Sequence, residues 1–249
     1  MTKRTRLFLA GLTLAIAAGT SLFLAPATPP AKAGSGNHNG HPVVVELFTS
    51  QGCHSCPPAD KYVGELKKHE NVIALAYHVD YWDYIGWKDV FGRAEHTARQ
   101  KAYATFAGRR SIYTPQMVVG GVHDVVGTHP KDVEDVIRRH RALPQLIELD
   151  ADRATDTLRI VAKAQAAFAP PLEVQVVQFM RQGHVEITRG ENAGRMLDYA
   201  NVVTGWSKIG SWDGKSPLQV TAPVAADQSA VVILQRPGPG KIEAAVLAD

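Results

Sequence analysis

The chain holds two cysteines, Cys53 and Cys56, three positions apart, where a β-branched run gives way to a helical one. That placement constrains the fold more than any other feature, because a pair so close can staple almost nothing. By the loop-entropy relation, a bridge across four residues is worth roughly 2 kcal/mol, against about 4.7 kcal/mol for a hundred-residue loop. A zinc ribbon needs a second cysteine pair, and the sequence has none. Redox chemistry or a metal site of low coordination number is what remains.

The flanking residues suggest how the pair is held. "HPVVVELF" (41–48) is a short apolar run suited to a buried strand, and "TSQG" is a turn. "CHSCPPADKYVGELKKHE" then has helical spacing, with Tyr62, Val63 and Leu66 as inward positions. Cys53 is therefore expected at the mouth of a helix, where free backbone N–H groups and the macrodipole favour a thiolate. In such settings the cysteine pKa drops from about 8.5 to between about 3.5 and 7.5. Pro57 and Pro58 carry no N–H, so the number of donors facing Cys53 depends on where the helix begins.

"NVIALAYHV" (71–79) reads as a second strand, and the intervening helix makes it parallel to the first. The segment leaving the end of that strand therefore hangs beside the cysteines. Its sequence is "HVDYWDYIGWKDVFG", with Tyr81, Trp82, Tyr84, Trp87 and Phe91 among Asp80 and Asp83. Such a cluster serves either as core or, on the cysteine edge, as a groove in which Trp82, Tyr84 and Trp87 meet a peptide or small apolar ligand. A helix over 94–108, a hairpin over 111–128 turning at Gly120-Gly121 and an amphipathic helix over 129–143 complete a β-α-β-α-β-β-α order.

After Pro144 the texture changes. "LIELDAD", "TLRIVAKAQ", "LEVQVVQF", "VEITRG", "VVILQR" and "KIEAAVLAD" are short strand-like runs divided by turn signals. They imply a β-rich, sandwich-like second domain over 144–249. "RGENAGRMLDYANVVTGW" (189–206) reads as a long loop.

The first residues differ in kind. Lys3, Arg4 and Arg6 precede an apolar run from Leu7 to Leu24, and Ala31-Lys32-Ala33 has a small-x-small cleavage pattern. That is the anatomy of a signal peptide over 1–33, followed by a linker over 34–41, with no stable membrane insertion after cleavage. The expected location is the periplasm or outside the cell, where disulfides persist. The leader also distorts the charge: the whole chain has 27 basic and 24 acidic residues, but beyond the cut the basic count is 23. Near-neutrality and the lack of a basic stripe argue against nucleic-acid partners.

"VVELFTSQGCHSCPPAD", "HVDYWDYIGWKD" and "YTPQMVV" resemble a family of secreted bacterial thioredoxin-like proteins filed as a domain of unknown function. The resemblance implies a thioredoxin-like α/β domain over 42–143, a mixed sheet flanked by helices, ahead of the β-rich domain. Carried over by position, Cys53 is the nucleophilic thiol, Cys56 the resolving thiol, and Pro115, after Thr114, a cis-proline facing them. One departure matters: disulfide isomerases place a histidine just before the second cysteine, whereas His54 directly follows the first.

The function this implies is thiol–disulfide exchange with protein or small-molecule thiols, without a cofactor. His54 either favours the Cys53 thiolate or points to solvent. Asp80 is a candidate proton acceptor for Cys56, or a turn residue. His78, ending the second strand, modulates the site or serves as a hydrogen-bonded strand end. Two alternatives stay open: Cu(I) handling by Cys53, Cys56 and His78, since thiolates suit that ion, and a redox-inactive interaction module.

Overall fold

The computed structural model describes residues 42–248, which lie within one compact unit. The expected signal peptide and linker, 1–33 and 34–41, fall outside the described residues. Strand β1 (Val43–Thr49) is buried along its whole length. Its alternate residues enter two cores, Val43, Val45 and Leu47 on one face and Val44 and Phe48 on the other. A strand covered on both sides needs a near-continuous apolar run, which is what 43–48 supplies.

Helix α1 (Pro57–Leu66) carries the chain over to β2 (Val72–His78), which pairs parallel with β1 from Val43↔Val72 to Thr49↔His78. A short 3-10 turn (Asp83–Ile85) and helix α2 (Ala94–Phe106) come next. Glu46 is the charged exception within β1, and α2 answers it. Arg99 Nε donates to Glu46 Oε1 at 2.7 Å, and the Tyr103 hydroxyl donates to the other carboxylate oxygen. The guanidinium lies 5.2–5.6 Å from the ring centres of Tyr77, Tyr103 and Trp206, so the buried charge is both paired and enclosed. The hairpin β3 (Gln116–Val119) and β4 (His123–Val126) adds two antiparallel strands beyond β1. Helix α3 (Pro130–Arg141) has Asp132 in its first turn and Arg138 to Arg141 in its last, as the macrodipole favours.

The second half is built from β5 (Ile147–Ala154), β6 (Thr157–Ala164), β7 (Leu172–Ile187), β8 (Arg195–Trp212), β9 (Leu218–Pro223), β10 (Ser229–Gln235) and β11 (Ile242–Ala248). Here the expected fold class fails. Instead of a thioredoxin-like domain followed by a separate sandwich-like one, strands of both halves form one eight-stranded mixed sheet, in the order β11-β10-β7-β8-β2-β1-β3-β4. The join is β8, where Val202 pairs parallel with Ala76 of β2. Phe48, Leu75 and Tyr77 share a core with Val177, Phe179, Val203, Val231 and Ile233, so the two halves bury each other's apolar faces. The remaining strands, β5-β6-β9, form a small sheet whose Leu158, Ile160 and Ala222 pack with Val176 and Val232.

Residues 195–206, expected in a loop, belong to β8, which pairs with β7 from Ile187↔Arg195 to Leu172↔Trp212. The expected strands at 172 and 185 are two ends of the single strand β7. Among the described residues no helix is long and apolar enough to cross a membrane.

Candidate active site

Between β1 and α1 the chain turns through residues 50–56. Cys53 N–H donates to the Ser50 carbonyl at 3.1 Å, and Cys56 N–H to the Cys53 carbonyl at 3.2 Å. Cys56 caps α1, and the two cysteines are joined as a disulfide. One local expectation is corrected. The donors supposed to face Cys53 are missing: Pro57 and Pro58 fill the first helical positions, and the N–H groups of Ala59 and Asp60 both go to the Cys56 carbonyl. Neither cysteine is open to solvent. Cys53 is 1% exposed and Cys56 0%, while His54 and Ser55 between them are exposed. The Ser55 hydroxyl, 3.5 Å from Cys53 Sγ, is the polar group beside that sulfur.

A buried cluster of charge links α1, β2 and the aromatic loop. Asp60 sits one helical turn after Cys56 on the inward face of α1, and neither of its carboxylate oxygens has a hydrogen-bond partner. Burial pushes its pKa up to about 7, against the opposing pull of His78 and Thr49 and with a push from Asp89. His78 is fully buried, with Nδ1 2.8 Å from Asp89 Oδ2 and Nε2 unpartnered. Burial works against its charge, but Asp89 and Asp60 prevail and the pKa is raised. Asp89 is buried too, yet is held below the usual carboxylate range by His78 and by N–H donation from Gln51 and Phe91. Tyr199 on β8 closes the cluster: its ring meets His78 edge-on at 4.9 Å, and its hydroxyl pKa is raised by burial, then by Asp60 and Asp89.

Asp80 is engaged elsewhere, accepting from Thr97 Oγ1 at 2.6 Å while its N–H donates back to the same hydroxyl. It tethers the start of α2. Among the described residues no group of three or more His, Cys, Asp or Glu side chains is arranged to hold a metal ion, so Cys53, Cys56 and His78 do not converge as a ligand set.

The aromatic loop flanks the turn and is tied to it. Trp82 Nε1 donates to Thr114 Oγ1 at 2.7 Å, and Trp87 Nε1 to Gln51 Oε1 at 2.8 Å. Trp82 and Ile85 press on Gly52, where an added Cβ would lie 3.2 Å from Trp82 Cβ. Tyr84 stacks on Trp82 and stays exposed. The Thr114–Pro115 peptide is cis. Pro115 is near α1: a Cβ on Gly127 would be 3.1 Å from both Ala59 Cβ and Pro115 Cβ. Replacing Trp82 with phenylalanine keeps most of the packing but removes the bond to Thr114. A loss of about 1 kcal/mol is expected, measurable as a fall in urea midpoint at unchanged slope.

One residue the sequence did not single out also touches this turn. Asn192, at the tip of the β7–β8 hairpin, donates through Nδ2 to the Gln51 carbonyl at 2.9 Å and the Cys53 carbonyl at 3.0 Å. No local pattern signals it, because its partners are about 140 residues away.

The fold and the site define a β-rich, mixed-sheet protein with an oxidised Cys-X-X-Cys turn at a strand–helix junction, closed over by a distant hairpin. The chain belongs to the family described as "Protein of unknown function (DUF1223)", whose model matches residues 44–235, in keeping with the resemblance carried by the cysteine, aromatic and Thr-Pro motifs. Among solved structures, the crystal structure of protein AGR_C_4864 from Agrobacterium tumefaciens is similar at 32% identity and a TM-score of 0.72, over 83% of this chain and 93% of that one. HBP35 of Porphyromonas gingivalis is similar in fold, at 13% identity and a TM-score of 0.58, over 84% of this chain and 74% of that one. A search of curated proteins finds no significant match.

Proposed function

We propose that this protein is an exported thiol–disulfide oxidoreductase that exchanges disulfides with protein or small-molecule thiols through Cys53 and Cys56. The observation that carries the reading is the position of the disulfide: it closes a four-residue turn at the start of α1, the helix that holds the buried Asp60 carboxylate one turn after Cys56. A bridge of that span is a weak staple. A buried acid whose pKa is pushed up to about 7, one helical turn from Cys56, is suited to moving protons at physiological pH.

In the oxidising direction a substrate thiolate attacks Cys53 Sγ. The Cys53–Cys56 bond breaks, a mixed disulfide forms, and Cys56 leaves as a thiolate that takes the proton held by Asp60. A second substrate thiolate then attacks the substrate sulfur of the mixed disulfide and expels Cys53 as a thiolate. The substrate dithiol becomes a disulfide and the protein a dithiol, a transfer of two electrons. In reverse, Asp60 accepts the Cys56 proton and Cys53 is the attacking thiolate. The Ser55 hydroxyl is placed to donate to that thiolate. Action in the periplasm or outside the cell agrees with a disulfide that must persist between cycles.

Equilibration with dithiothreitol or glutathione tests this. A reduction potential between about −120 and −270 mV, the span of thiol–disulfide catalysts, is the expected result. A value below about −300 mV, typical of structural bridges, would overturn it.

A further inference from the structure

We infer that Asn192 is a positioning residue that latches the β7–β8 hairpin tip over the Cys53 turn and thereby gates access to the disulfide. The latch rests on the redox reading above for its purpose, but not for its test.

From Thr188 to Met196 every residue is exposed except Asn192, which is 1% exposed. An asparagine in a solvated turn would ordinarily hydrate its amide, and this one is buried against the turn that carries the cysteine. Its geometry is complete. Nδ2 gives both donors to the carbonyls of Gln51 and Cys53, while Oδ1 accepts from Arg195 Nη1 at 2.9 Å, which sets the orientation of the amide. A buried amide with every donor used holds its position firmly. The Cys53 carbonyl also receives the Cys56 N–H, so the latch acts on the same peptide that spaces the two sulfurs.

The rest of the hairpin supports that seat. Gly190 has φ +75°, and an added Cβ there would lie 3.1 Å from Trp87 Cβ. Gly183 leaves room for the Phe91 ring, 2.9 Å from where a Cβ would sit. The tip is thus docked on the aromatic loop, and that loop is bonded to Gln51. Cys53 reaches a substrate only when some of this cover moves. Asn192 is the one side chain of the tip that bonds the turn directly, so its release is the step that frees the sulfur.

The test uses the oxidised full-length protein and tris(2-carboxyethyl)phosphine, which cleaves disulfides without thiol exchange. Reduction is followed by quenching with a maleimide and weighing the alkylated product. Asn192→Ala and Asn192→Asp, the second preserving size while removing the donors, should each be reduced at least ten times faster than wild type. Hydrogen exchange adds a readout that simple structural support would not move. Amides over 188–196 should exchange faster in reduced than in oxidised wild type, and the two redox forms should match in Asn192→Ala. A rate change under twofold in folded variants overturns the latch, as does identical protection of oxidised and reduced wild type. If the variants fail to fold, the wild-type exchange comparison decides alone. A very negative potential with a fast-reducing Asn192→Ala would sink the oxidoreductase reading and leave the latch standing; the opposite pairing would do the reverse.

Discussion

Cys56→Ser is expected to turn the protein into a trap. Incubated with a disulfide-bearing peptide, or with glutathione disulfide, it should accumulate a stable mixed disulfide through Cys53 and lose turnover to background. The reason is the order of the two sulfurs. Cys53 lies in the turn, followed by the exposed His54 and Ser55 and with the Ser55 hydroxyl 3.5 Å away, whereas Cys56 is the N-cap of α1. Attack at Cys53 is resolved by Cys56; without that second thiol the adduct has no intramolecular exit. Cys53→Ser should form no adduct under the same conditions. Trapping by Cys53→Ser and not by Cys56→Ser would reverse the roles, equal trapping by both would remove the assigned order, and adducts from neither would remove thiol exchange as the function. Stability makes a poor substitute readout. Losing a bridge over four residues costs only about 2 kcal/mol, so both variants should remain folded and the comparison should stay clean.

The legible part of the sequence was local. The β-branched run of β1, the helical run after the cysteines, the turn at Gly120-Gly121 and the charge polarity of α3 each write their element into a few consecutive residues; β1 and α3 lie within two residues of where they were expected, while α1 is shorter by about a turn at each end. The fusion of the halves was not legible, because it depends on β8. Its distal portion exposes Met196 and alternates weakly, and Asn201 takes a positive φ beside the bond its side chain makes to the Ala74 carbonyl. Its pairing with β7 is that of a hairpin, from Ile187 to Leu172, but the pairing that fuses the halves is with Ala76, far away in sequence. Propensity and alternation say little about such pairing.

Asp60 was legible in principle. Cys56, Ala59, Asp60 and Val63 fall at i, i+3, i+4 and i+7, the apolar stripe of α1, so a carboxylate occupies a core position. An acidic residue in the first turn has an ordinary explanation in the helix dipole, which hides the anomaly. Asn192 offered no comparable trace, since a single asparagine in a polar turn has no periodicity to break.

Asp60→Asn should change how stability depends on pH more than it changes stability at any one pH. In the folded protein the Asp60 pKa is pushed up to about 7 by burial, while the unfolded chain titrates near the ordinary aspartate value. Between about pH 4 and 7 the folded state therefore holds a proton that the unfolded state has released. Stability falls as pH rises through that window, by about 4 kcal/mol in all for a shift of roughly three pH units. His78 adds to the alkaline loss, because its raised pKa gives stability that disappears as pH climbs through the folded value. Asp89 acts on the other limb: its depressed pKa gives stability that is present above the unfolded value and lost in acid. Asparagine at position 60 cannot ionise, so the loss from pH 5 to 8 should shrink by about 2–3 kcal/mol, leaving the shallower slope due to His78. The buried amide will leave donors unmatched and cost about 1–3 kcal/mol at every pH. The decisive quantity is thus the difference between urea unfolding free energies at pH 5 and pH 8, compared in wild type and variant. Equal differences would mean that Asp60 is ionised throughout, which would also deprive Cys56 of its proton partner. The same substitution should remove an inflection near pH 7 from the rate at which Cys56 resolves a preformed mixed disulfide, and only a proton-carrying Asp60 links those two measurements.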